Sequence, residues 1–81
     1  MEKILIIDDD PIIDRIYKDL FQREGFEVEV STDGESAIQT LKNGRPDLVL
    51  LDLFLGKTNG VEVLKFIRAR HPPFKLPVIV F

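Results

Sequence analysis

The 81-residue chain contains no cysteine and no tryptophan. Without thiols there is no disulfide, no Cys-ligated zinc and no thiolate nucleophile, so nothing in the chain calls for an oxidising compartment and a reducing cytoplasm is the expected setting. Long hydrophobic runs are missing as well. Met1-Glu2-Lys3 is followed only by Ile4-Leu5-Ile6-Ile7 before Asp8-Asp9-Asp10. That run is too short for the core of a signal peptide and far too short to span a bilayer, so a soluble, unprocessed chain without membrane contact is expected. There is no block of like charges, and 11 Lys plus Arg stand against 14 Asp plus Glu for a net charge of −3. That balance argues against a domain whose whole business is binding a phosphate backbone, and no direct nucleic-acid contact is expected. What the chain does have is core-forming material. Leu, Ile, Val and Phe number 10, 9, 7 and 6, enough to fold, while the length allows a single small domain.

Apolar spacing divides the chain into alternating strands and helices. Ile4–Ile7 is a short β-branched run cut off by three aspartates and predicts a strand buried on both faces. Pro11 suits a first helical position, and Ile12, Ile13, Ile16, Tyr17, Leu20 and Phe21 recur at helical spacing up to Gly25, with Asp9 or Asp10 as the cap. Phe26–Val30 alternates apolar and polar residues, as an edge strand does. Thr32-Asp33-Gly34-Glu35 has the form of a capping box before Ala37, Ile38 and Leu41, and Asn43-Gly44 closes that short helix. Leu48–Leu51, ending at Asp52, is the most continuously apolar stretch and predicts the sheet centre. A polar loop through Gly56, Asn59 and Gly60 leads to a third helix over Val61–Ile67, stopped by His71-Pro72-Pro73. Leu76–Phe81 then predicts a fourth strand, its proline tolerated at the start. The order βαβαβαβ predicts an α/β fold with a parallel sheet and helices on both faces. Placing the edge-like second strand outside the first gives the order 2-1-3-4, with the first helix on one face and the other two on the opposite face. The direction of winding reverses between the first and third strands, which is where such sheets bind ligands.

Two neighbouring strands at that reversal end in acids. Adjacent strands run only about 4.8 Å apart, so Asp8 and Asp9 after the first should converge with Asp52 after the third. Like charges so close raise one another's pKa unless a cation joins them, and a cluster of hard oxygens that leaves positions for water or phosphate suits Mg²⁺. Asp52, alone at the end of the central strand, is the expected nucleophile toward phosphorus, with Asp8 and Asp9 as metal ligands. The plainer alternative is helix capping, for which Asp9 or Asp10 before Pro11 is well placed. The coincidence of acids after two neighbouring strands favours the metal site.

These residues resemble the receiver domain of bacterial two-component response regulators, of the chemotaxis-regulator kind. The resemblance spans essentially the whole chain. Ile4–Asp10 is similar to the family's first strand with its acidic pair, Leu48–Asp52 to the strand ending in the phosphoacceptor, Gly60 and Val61–Ile67 to its loop and third helix, and Leu76–Val80 to its fourth strand. It implies a flavodoxin-like doubly wound sheet and a signalling domain rather than an enzyme. It also implies that Asp8 and Asp9 hold Mg²⁺ with Asp52 and the backbone carbonyl of Phe54, and that a histidine kinase donates phosphate to Asp52. Gly56 stands where the family often has proline. An aspartate-nucleophile phosphatase is disfavoured, because those enzymes carry a second acid two residues after the nucleophile and here that residue is Phe54.

Family receivers continue through a hydroxyl residue after the fourth strand, a fourth helix, a fifth strand ending in lysine, and a fifth helix. Residues 1–81 read as a truncated receiver without them, and neither Lys57 nor Lys75 follows a fifth strand. The expectations are weakened transfer to Asp52 and an unpaired Val78–Phe81 edge through which the chain, as a non-signalling fragment, could form a homodimer. Smaller expectations concern single residues. His71 reads as solvated at a helix end, and Tyr17, Phe21, Phe66 and Ile67 as packing. Arg15, Arg23, Arg68 and Arg70 read as solvated helix faces, and Asp14 and Asp33 as surface or capping residues.

Overall fold

A computed structural model describes residues 2–56 and 58–81. Met1 and Lys57, and with Lys57 its exclusion as a phosphate-contacting cation, lie outside the described residues. The elements in chain order are β1 (Lys3–Ile7), α1 (Pro11–Arg23), β2 (Glu27–Ser31), α2 (Gly34–Asn43), β3 (Leu48–Leu51), β4 (Phe54–Leu55), β5 (Thr58–Asn59), α3 (Gly60–Arg70) and β6 (Val78–Val80). Strands β2, β1, β3 and β6 form one sheet in that order, every pair parallel. This is the expected order 2-1-3-4, with β6 in the fourth place. The predicted loop after Asp52 contains a further short antiparallel ribbon, β4 with β5, pairing Phe54 with Asn59 and Leu55 with Thr58. Two-residue strands are too short to leave a periodic signal, so spacing did not reveal them.

Side-chain alternation in β1 and β3 sorts the interior into two layers. Leu5 and Ile7, with Val49 and Leu51, point to one face, where Ala37 and Leu41 of α2, Val63 and Ile67 of α3, Leu55 and Leu76 close a fully buried cluster. Ile4, Ile6 and Leu50 point to the other face and meet the half-buried Tyr17 and Phe21 of α1 with Phe26, Val28, Val30 and Leu48. The helices therefore lie one on one side and two on the other, as the topology predicts.

Capping follows the local sequence. Asp10 begins α1, its carboxylate accepting from the amides of Ile12 at 2.9 Å and Ile13 at 3.5 Å. Asp33 begins α2 by accepting from Ser36 N at 2.7 Å. The cap is thus Asp33, one residue after the Thr32 that the capping-box pattern favours; a carboxylate accepts the Ser36 amide where a hydroxyl one residue earlier would leave the first turn longer. Asn59 caps α3 through Val61 N at 2.9 Å.

Three readings of side chains are corrected. Ile12, Ile16 and Leu20, expected at core spacing, are exposed by 69%, 56% and 48%. Asp14, expected at the surface, is buried. Arg68, expected on a solvated helix face, folds inward and donates to the carbonyls of His71 and Leu76 at 3.2 and 2.8 Å, tying the end of α3 to the turn that starts β6. In the first two cases the helix turned a different stripe to the sheet: positions 14, 17 and 21 share one face, and 12, 16 and 20 another.

Candidate metal centre

The ladder between β1 and β3 continues past the strand ends. Asp52 N donates to the Ile7 carbonyl at 2.9 Å, and Asp8 N donates to the Ser31 carbonyl at 3.1 Å. The strand tips are therefore held in step, and the first residues beyond them, Asp8 and Asp52, emerge side by side. Asp9 follows on the outer side of the turn into α1. One carboxylate oxygen from each of Asp8, Asp9 and Asp52 lies within 4.8 Å of the others, the first buried, the second exposed and the third between. The run of three acids divides its labour: Asp10 is consumed as the helix cap, which leaves Asp8 and Asp9 available.

Asp8 is 3% exposed. Burial pushes its carboxyl above the usual carboxylate range. Contact with Asp52 and the charge of Asp9 act in the same direction, while the hydrogen bond from Asp10 N opposes them. A buried acid repelled by two neighbours is a group in want of a cation. Three hard oxygens at one solvent-facing rim fit a divalent ion of the Mg²⁺ type, which takes few protein ligands and keeps open positions. Among the described residues no other such acid cluster occurs.

The segment after Asp52 shapes the rest of the rim. Phe54 N donates to Asp52 Oδ1 at 2.9 Å, orienting the carboxylate, while the Phe54 ring is 85% exposed. Leu55 is buried in the core and pins the ribbon down. Gly56, with φ of +59°, makes the turn and lies against the carboxylate of Asp9, where an added Cβ would come within 3.5 Å of Asp9 Oδ2. Gly60 N donates to the Leu53 carbonyl at 3.0 Å. A Cβ on Gly60 would stand 2.6 Å from the Asp52 carbonyl oxygen and from Leu53 Cα, so only glycine lets α3 start this close to the acid-bearing loop. Sequence spacing named Gly60 but gave no such reason for it.

The remaining candidates fall elsewhere. Lys75 and His71 lie in the connection that enters β6, at the amino end of a parallel sheet and so at the end away from the acids. His71 is half-buried and its amide closes α3 on Ile67.

Comparison with known proteins agrees with this geometry. Residues 4–81 match the family described as "Response regulator receiver domain". The transcriptional regulatory protein CpxR of Escherichia coli is 42% identical over 80 residues, covering 99% of this chain and 33% of CpxR. The chain thus spans about a third of the length of the curated relatives it matches. Among solved structures, the response regulator protein TrrA of Thermotoga maritima, in complex with Mg²⁺-BeF, superposes with a TM-score of 0.89 at 34% identity, covering 99% of this chain and 68% of TrrA. A structure of the histidine kinase ThkA in complex with TrrA matches with a TM-score of 0.86, at 34% identity, over 99% of this chain and 67% of that one.

Proposed function

The chain belongs to the response regulator receiver-domain family, and from that premise we propose that Asp52 accepts a phosphoryl group from a histidine kinase while Asp8, Asp9, Asp52 and the Phe54 backbone carbonyl hold Mg²⁺. The observation that carries the proposal is the meeting of Asp8, Asp9 and Asp52 oxygens within 4.8 Å. When bound, the ion would neutralise the acids and the incoming phosphoryl oxygens, lowering the repulsion between two anions. Asp52 then supplies the nucleophilic oxygen. Its attack forms an O–P bond as the bond from phosphorus to the donor nitrogen breaks, the electron pair leaving with the donor imidazole, and the product is an acyl phosphate on Asp52. Asp8 and Asp9 would hold the cation, and the Phe54 amide keeps the Asp52 carboxylate oriented. The role is a signalling one, a switch set by covalent charge rather than turnover of a substrate.

The kinase as partner is supported by the complex of TrrA with ThkA. No helix among the described residues is long and apolar enough to cross a membrane, and the net charge of −3 supports a role for these residues without direct nucleic-acid contact. Incubating the protein with Mg²⁺ and a small phosphodonor, then measuring intact mass, tests the proposal. A phosphoryl adduct is expected for the unaltered chain and none for Asp52→Asn; an adduct that survives Asp52→Asn overturns the assignment.

A second reading is pairing of two copies through Val78–Phe81. It is supported by the exposure of Ile79, Val80 and Phe81 along β6, which pairs only with β3 among the described residues. Light scattering across concentration tests it, and a monomer at high protein concentration overturns it.

A further inference from the structure

Asp14 is the buried carboxylate that the site does not explain. It is 6% exposed, and both of its oxygens lack a hydrogen-bond partner, the only such buried side-chain atoms among the described residues. It has no capping duty, because Asp10 already accepts the first amides of α1. A buried acid without a partner is costly, and one that is kept calls for an explanation.

The charged groups that face it can be named element by element. The β1–α1 turn supplies Asp8, Asp9 and Asp10, and their negative charges act on it. From α1 itself come Arg15, Lys18 and Asp19, which share with Asp14, Pro11, Gln22 and Val30 the groove between the helix and β2. Neither cation is within ion-pair distance, since the pairs among the described residues are Lys3 with Glu29 and Lys65 with Glu62. Toward α1 the sheet presents Ile4, Ile6, Val28, Val30, Leu48 and Leu50, with Ile79 in register with Leu50 and Phe81 edge-on to Tyr17. Alternation along β2 turns Glu27 and Glu29 the other way. Asp14 thus stands over an apolar wall of the sheet and one helical turn from the acid-bearing β1–α1 turn, to which its amide is tied by donating to the Asp10 carbonyl at 3.0 Å.

We propose that Asp14 is a positioning residue coupled to the acid cluster: a divalent cation entering among Asp8, Asp9 and Asp52 drives Asp14 to ionise, and the charge that appears holds the cation more tightly. The inference rests on the metal-site reading above. Its basis is reciprocity. The same acids that now repel a charge on Asp14 are neutralised when a cation arrives, and whatever free energy the cation contributes to ionising Asp14, ionised Asp14 returns to binding the cation. The chemistry is a single proton loss, from the Asp14 carboxylic acid to water, with no other bond changed. Burial first, then the charges of Asp8, Asp10 and Asp9, push the Asp14 carboxyl up to about 6, which puts the exchange in an accessible pH window.

The test is calorimetric titration of the 81-residue chain with Mg²⁺ near pH 6, in two buffers of different protonation enthalpy, for the unaltered protein and Asp14→Asn. The unaltered chain is expected to release roughly a quarter of a proton more per Mg²⁺ than the variant near pH 6, and no more than the variant above about pH 8. Its Mg²⁺ affinity at pH 8 is expected to exceed that of the variant by about threefold, and to match it near pH 5. Equal proton release by the two chains overturns the inference alone. Absence of Mg²⁺ binding by the unaltered chain overturns the metal-site reading and the inference with it. Should Asp14→Asn fail to fold, carbon-detected NMR titration of the Asp14 carboxyl in the unaltered chain decides the same question: its midpoint falls when Mg²⁺ saturates the protein, and an unmoved midpoint overturns the proposal.

Discussion

The two faces of the sheet are built from the same two strands yet differ in kind. On the α2–α3 face, Leu5, Ile7, Val49 and Leu51 are sealed under two helices and Leu55, with ten residues fully buried. On the α1 face the only apolar residues to reach that state are, among the described residues, Ile4, Ile6 and Leu50, under aromatic rings that are themselves half-exposed. Tyr17 and Phe21 stack at 6.1 Å, Phe21 meets Phe26 edge-on, and Tyr17 meets Phe81 edge-on, so the thinner layer is closed by flat side chains in a chain of ring contacts. One face therefore supplies the rigidity that positions the acids, while the other tolerates features a dense core would reject, including an unpartnered buried carboxylate and three exposed aliphatic residues on α1.

That contrast can be broken by substitution. Ile67→Ala on the closed face should cost about 2–5 kcal/mol in denaturant unfolding, because its neighbours cannot collapse onto the cavity. Ile16→Ala on the outer side of α1, where the side chain is already mostly in water, should change stability by less than about 0.5 kcal/mol. Equal costs would show that the α1 stripe is buried in solution. Next in size is Gly60→Ala. Its Cβ meets backbone rather than a yielding side chain, so a loss of roughly 1–3 kcal/mol is expected together with weaker Mg²⁺ binding as the Asp52 loop is displaced. A substituted chain that kept both properties would remove the packing reason for glycine there.

The last effect, and the one of opposite sign, belongs to Asp14. With a folded-state value of about 6 against an ordinary 3.8, the native chain binds more protons than the unfolded chain between those values. The contribution of Asp14 to stability therefore falls as pH rises through roughly 4 to 6 and is level above that window. Asp14→Asn removes this share of the slope and leaves that of Asp8, whose carboxyl is pushed the same way. It should match the unaltered chain near pH 4 and be more stable by roughly 2 kcal/mol at pH 7.5 in the absence of divalent cations, as read from thermal unfolding across pH. A variant equally stable at both pH values would place Asp14 in water.

Much of the arrangement was legible in the letters because it is local. Apolar runs of four between turn residues, and Asp10 ahead of Pro11, state where strands end and helices begin. The acids after β1 and β3 could be brought together from connectivity because parallel neighbours have few allowed orders. The misreadings on α1 concern the direction of the helix face. Spacing of three and four fits both the 12-16-20 stripe and the 14-17-21 stripe of α1; apolar content put Ile12, Ile16 and Leu20 in the core along with Tyr17 and Phe21, while the sheet took only the aromatic pair and carried Asp14 in with it. A helical wheel placing Asp14 beside Tyr17 and Phe21 was the available signal. Arg68 escaped for a different reason, since its partners are carbonyls of a turn that sequence cannot place.

The sequence alone therefore determined the succession of elements, the sheet order and the location of three carboxylates at one rim, because short-range periodicity and chain connectivity leave few alternatives. Only the tertiary structure decided which stripe of α1 faces inward, that Asp14 is buried without a hydrogen-bond partner among the described residues, and that α3 begins against the Asp52 backbone. Those facts depend on packing between segments distant in the chain, where burial and charge are set by neighbours that no local pattern encodes.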